Sequence, residues 1–123
     1  MMNIKQSIIE TARNAGMDMC KIAGIDRFAT AQSGMHPTDV LPGCKSVIVI
    51  GVRLLDGIVQ ANFRAFENGR GDLKGLYGTY GYSTLPNFEL TYACYAVAQF
   101  IERNTGEAAT PCSTGPMTNG AQI

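Results

Sequence analysis

The chain has 123 residues, 46% hydrophobic and 16% charged, a composition that fits one globular domain with a small core, expected over residues 1–112. Ten basic and ten acidic residues cancel and are scattered, so no basic stripe exists to attract nucleic acid. The strongest apolar runs, Val47 to Gly51 and Tyr92 to Ile101, are too short to cross a bilayer, so no membrane partner is expected.

Asn3 is placed to cap a first helix over residues 4–15, where Ile4, Ile8, Thr11, Ala12 and Ala15 recur at helical spacing before Gly16. Lys5, Gln6, Ser7, Glu10 and Arg13 interrupt any secretory h-region there, so a cytoplasmic location is expected. Residues 17–25 alternate loosely, with Met17, Met19, Lys21, Ala23 and Ile25 on one side, and read as a strand. Asp26 opens a short helical turn, and residues 30–43 read as a loop rich in Gly, Pro, Ser and Thr. The only histidine, His36, precedes Pro37 in that loop. Without partner ligands it fits a capping role better than a metal site.

From Lys45 to Leu54 the run Val47-Ile48-Val49-Ile50 predicts a strand buried on both faces. It is the expected central strand of a small α/β (α+β) sheet, with Val47 and Val49 on one side and Ile48 and Ile50 on the other. Asp56 is placed to cap a helix over residues 57–68, whose apolar side holds Ile58, Ala61, Phe63, Ala65 and Phe66. The Arg70-Gly71-Asp72 triplet that follows matches an integrin-binding tripeptide by chance. Glycines at 75, 78 and 81 then alternate with Tyr77, Tyr80 and Tyr82. Glycine lets the backbone approach a planar ligand and tyrosine offers an apolar face with a hydroxyl, which suits a cofactor rim. The same composition equally fits a tight glycine loop whose tyrosines cover the edge of the core. Neither a G-x-G-x-x-G fingerprint nor a phosphate-binding P-loop is present.

Thr84 and Pro86 open the longest predicted helix, residues 86–104, with Phe88, Tyr92, Ala93, Tyr95, Ala96, Val97, Phe100 and Ile101 forming a broad apolar face. Residues 107–112 suggest a third short strand. The stretch from Ser113 to Ile123 has almost no core-forming residues and is expected to be a flexible tail. Cys20, Cys44, Cys94 and Cys112 lie 24, 50 and 18 residues apart, with no C-x-x-C pair, so no metal site or iron–sulfur cluster is expected in this chain.

The block His36-Pro37, then Leu41-Pro42-Gly43-Cys44-Lys45-Ser46-Val47-Ile48-Val49-Ile50-Gly51, resembles the start of epoxyqueuosine reductase-like and reductive dehalogenase-like proteins. The likeness extends through Gly16-Met17-Asp18, Ala23-Gly24-Ile25, the stretch from Arg64 to Arg70, the Gly75 to Tyr82 segment, Pro86-Asn87 and Pro111. It implies part of a nitroreductase-like core and a reductase that passes electrons from iron–sulfur clusters to cobalamin. The family's cluster cysteines and proton donor lie downstream of the part matched, so the resemblance implies no catalytic residue here and no activity for this chain alone. What it implies for the site is that Tyr77, Tyr80, Tyr82 and Asn87 lie near the corrinoid or substrate pocket. The alternative is a non-catalytic small α/β domain that dimerises or binds a partner subunit. Either reading implies a homodimer or a second polypeptide, because a small parallel sheet would leave apolar edges open.

Overall fold

The computed structural model describes residues 3–112. Helix α1 (Ile4–Asn14) is capped as its sequence dictates: Asn3 Oδ1 accepts from the Gln6 N–H at 2.9 Å. Gly16, at φ 95°, turns the chain out of the helix in a conformation that side chains resist. Met17 is then buried, and strand β1 (Met19–Gly24) begins. A 3₁₀ turn (Ile25–Phe28) and a single helical turn, α2 (Pro37–Val40), lead to strand β2 (Ser46–Gly51). His36 heads α2 through a reciprocal pair: its Nδ1 accepts from the Thr38 N–H at 3.2 Å, while the His36 N–H donates to Asp39 Oδ2 at 3.1 Å.

The described residues thus form a mixed helix and strand fold, but the sheet differs from the expectation. Strands β1 and β2 pair antiparallel, with Cys20 opposite Ile50 and Ile22 opposite Ile48, and they are the whole sheet among the described residues. Lys45 to Leu54 therefore supplies no central strand. Antiparallel partners need no crossover helix, and the second strand is simply the earlier 19–24 segment. The expected third strand at 107–112 has no ladder. That stretch is instead tied to its neighbours by an Ala109 N–H donating to Glu102 Oε2 at 3.0 Å and by a Lys45–Glu107 ion pair at 3.8 Å. Asp18 closes the other end of the pair: its N–H donates to the Gly51 carbonyl at 2.8 Å and its Oδ2 accepts from the Arg53 N–H at 2.7 Å.

Beyond β2, helix α3 (Asp56–Glu67) has Leu55 at its cap position. Asp56 lies one residue inside and pairs with Arg53 at 2.7 Å rather than capping. A 3₁₀ turn (Gly71–Leu73) and the one-turn helix α4 (Lys74–Tyr77) follow, then a π-helical turn (Gly78–Tyr82) and the long helix α5 (Thr84–Thr105). Arg70 donates to both Asp72 oxygens, at 3.0 and 2.8 Å, and this contact lowers the Asp72 carboxyl below its ordinary value. The Arg70-Gly71-Asp72 triplet is exposed, with its two charged side chains paired to each other.

Alternation in the strands sends Cys20, Ile22, Ile48 and Ile50 to one face, where they pack on Ile8, Ala12, Met17, Ala93 and Val97. Ala12 and Ala93 are wholly buried, and these small side chains let α1 and α5 approach closely. Met19 and Val49 point the other way and are 41% and 49% exposed. Among the described residues no large side chain is fully buried. The core is one layer of helices on one face of a two-stranded ribbon.

Candidate functional site

The residues expected near a cofactor all fall on one continuous stretch, from α4 through the π turn into the first turn of α5. Glycine every third residue reads as loop, yet the backbone here is helical. Two contacts make it so. The Gly78 carbonyl accepts from the Ser83 hydroxyl at 2.6 Å and from the Ser83 N–H at 3.2 Å, which closes the wide turn. The Tyr77 ring lies on the backbone at Gly81, and a Cβ there would stand 2.7 and 2.9 Å from Tyr77 Cδ2 and Cε2 and 3.1 Å from Ile58 Cγ2. Gly81 is thus a contact glycine, joining the π turn to α4 and α3. π-helical turns of this kind concentrate at functional sites.

The described side chains among the four singled-out residues differ in their exposure. Tyr77 is half-buried and faces inward toward Gly81. Tyr80 is 49% exposed. Asn87 is half-buried, three residues into α5 from Thr84. Tyr82 ends the π turn, and its side chain lies outside the described part of the structure. Around Gly75 and Gly78 a Cβ would meet nothing within 4 Å, so the backbone there is open to an incoming group. Two shallow grooves lie elsewhere. One of about 270 Å³ runs between α5 and Pro111, and one of about 340 Å³ lies on α1 beside Gln6 and Arg13.

A second surface was not apparent in the sequence. On α5 the inward residues are Ala93, Val97 and Ala98, whereas Phe88 and Tyr92 are each 68% exposed and Tyr95 56%. The broad apolar face expected to cover the sheet is therefore split, with its aromatic half turned outward. The signal was present: an apolar pattern this wide on one helix implies two buried faces, not one.

Among the described residues no three His, Cys, Asp or Glu side chains stand close enough to hold a metal ion, and no helix is long and apolar enough to cross a membrane. The described cysteines are all free thiols. Partial burial raises the Cys20 thiol above its ordinary value. At Cys94 burial does the same, reinforced by the neighbouring Cys112. The thiolate is the reactive form, so iodoacetamide at neutral pH is expected to label exposed Cys112 well before Cys20 and Cys94. Mass spectrometry of timed samples reads the order, and early labelling of Cys20 would contradict the inward placement of that strand face.

No protein-family model matches the chain, and no curated protein or solved structure does either.

Proposed function

We propose that this chain is the N-terminal portion of a cytoplasmic, epoxyqueuosine reductase-like, corrinoid-linked reductase core that acts only when further polypeptide, a second copy or another subunit, completes it. The observation that carries this reading is the incompleteness of the unit. Among the described residues its sheet is a two-stranded ribbon whose outer face leaves Met19, Lys21 and Val49 exposed, and Phe63, Phe66, Phe88 and Tyr92 are exposed as well. Isolated two-stranded sheets are marginal, and apolar surface on this scale marks an interaction surface.

The local geometry is compatible with a corrinoid rim in part. Gly75 and Gly78 leave open backbone, and Tyr80 offers an exposed ring and hydroxyl beside them. Gly81 offers no such room, because Tyr77 already fills it. A bound corrinoid would supply cobalt-centred electron transfer; this chain would supply only the wall that orients it and excludes water on that side. With one wall, binding is weak. Titration of hydroxocobalamin, followed by its visible absorbance, is expected to give little or no binding by the chain alone. Clear binding is expected once a further polypeptide that completes the core is supplied. Failure of the completed assembly to bind overturns the corrinoid reading.

The second reading, a non-catalytic domain that dimerises or binds a partner subunit, draws on the same bare surfaces. It is favoured by one further observation: the exposed aromatic stripe of α5 lies apart from the Tyr77 to Asn87 segment for most of its length.

A further inference from the structure

We propose that Cys94 and Cys112 form a redox pair, whose disulfide clasps the stretch that follows α5 onto the side of that helix. The proposal goes beyond the reading of the chain as part of a larger core and does not depend on it.

The backbone brings the two residues together. Gly106, at φ 75°, ends α5 in the left-handed conformation and turns the chain back. The returning stretch runs antiparallel to the helix. The Ala109 N–H donates to Glu102 Oε2 at 3.0 Å, and Ala109 and Pro111 share a groove with Tyr95, Ala98 and Glu102. Ala109 is half-buried there. Three residues of extended chain, Ala109 to Cys112, cover about 10 Å. The eight helical steps from Glu102 back to Cys94 cover about 12 Å. The Glu102 side chain leans toward the helix N-terminus, which takes up the difference. Cys94 lies one turn before Ala98 on the same side of α5, so Cys112 arrives at its level. Electrostatics agrees: after burial, the charge of Cys112 raises the Cys94 thiol, an influence that falls away with distance. The competing partner is Cys44, because Lys45 pairs with Glu107 at 3.8 Å. That contact, however, holds the start of the stretch, five residues before Cys112, and the Cys44 thiol donates to the Ser46 carbonyl at 3.2 Å.

Exposure sets the order of events. Cys112 is open to solvent and Cys94 is half-buried. The Cys112 thiolate attacks a small disulfide such as oxidised glutathione; its S–S bond breaks, and one glutathione leaves and takes up the proton that Cys112 gave. Cys94, deprotonated in turn, attacks the Cys112 sulfur. The second glutathione leaves with the Cys94 proton as the bond between the two cysteines forms. Two thiols of the chain are oxidised to one disulfide, and the small disulfide is reduced to two thiols. The reaction reverses as the thiol form of glutathione predominates, so the clasp is a switch and not a permanent staple.

Equilibrating the full chain anaerobically in glutathione buffers of rising disulfide content tests the proposal. Samples are blocked with iodoacetamide, digested without reduction and mapped by mass spectrometry. Trypsin cuts after Lys74 and Arg103, so Cys94 and Cys112 leave on different peptides. The expected product is those two peptides joined, from a protein that runs as a single copy on a non-reducing gel. Closure is expected to be at least about tenfold more favourable in native buffer than in urea, because the fold holds the pair together. Cys94→Ser is expected to stop at the mixed disulfide and accumulate glutathione on Cys112, whereas Cys44→Ser closes like the parent. Three results each overturn the clasp: Cys112 joined to Cys44 or to a second copy, a glutathione adduct that persists on Cys112 in the parent, or equal closure in native buffer and in urea. The parent alone supplies all three readings, so they stand whether or not a variant folds.

Discussion

Replacing Ile48 with aspartate is expected to cost about 3 kcal/mol or more, because the charge would enter a face that packs on Ile8, Ala12 and Val97 with no partner to neutralise it. For a domain of this size, that corresponds to a fall in melting temperature on the order of 15 °C. The neighbouring change, Val49→Asp, is expected to cost no more than about 1 kcal/mol, the price of a poor strand former at an open position. Adjacent residues of one strand thus separate by several-fold in effect. Val49 lies across from Lys21 on the bare face of the ribbon and is 49% exposed, so water reaches the new carboxylate. Thermal melts of the two variants side by side decide the matter. Equal destabilisation would mean that both faces of the strand are covered and would contradict the exposure of Val49 on the outer face of the ribbon.

That contrast also shows what the sequence could and could not convey. Features fixed by neighbours within a few residues were legible: the Asn3 cap, the turn at Gly16, the His36 cap and the end of α5 at Gly106 each follow from local hydrogen bonding and from φ. Alternation in β2 was legible too, with Ile48 and Ile50 sharing a side. What covers its second face was not, because a run such as Val47 to Ile50 looks the same whether that face meets a helix, another copy or water; nor was the number of strands paired at its edges, which is set by backbone hydrogen bonds that no side-chain pattern records. The same ambiguity hid the division of α5. Phe88 and Ala93 are both apolar, and only the position of α1 tells which of them turns inward. The candidate site was legible as a composition, a segment of glycines and tyrosines, and not as a geometry. Part of its packing comes from Ile58, which is contributed by α3, more than fifteen residues earlier in the chain.

Gly81→Ala is the change expected to disturb that segment most. The new methyl would stand 2.7 Å from Tyr77 Cδ2, 2.9 Å from Cε2 and 3.1 Å from Ile58 Cγ2. The first two atoms belong to the body of a ring rather than a mobile tip, so α4 or the π turn must shift to make room. Overpacking of this kind costs about 1–3 kcal/mol, and shortening the ring in the pair Gly81→Ala with Tyr77→Ala is expected to recover part of the loss. Gly75→Ala and Gly78→Ala behave oppositely. Neither position has positive φ, neither Cβ would meet an atom within 4 Å, and both lie in helical backbone. Each is expected to hold or raise stability, by up to about 1 kcal/mol, because alanine loses less chain entropy on folding. Folding therefore gives no reason for glycine at 75 or 78. A ligand that approaches the backbone would. If the corrinoid reading holds, alanine at 75 or 78 in the completed assembly lowers hydroxocobalamin affinity at least several-fold while the melting temperature is kept. Unchanged affinity in both variants would place the corrinoid away from this segment and return Tyr77, Tyr80 and Asn87 to a role in packing.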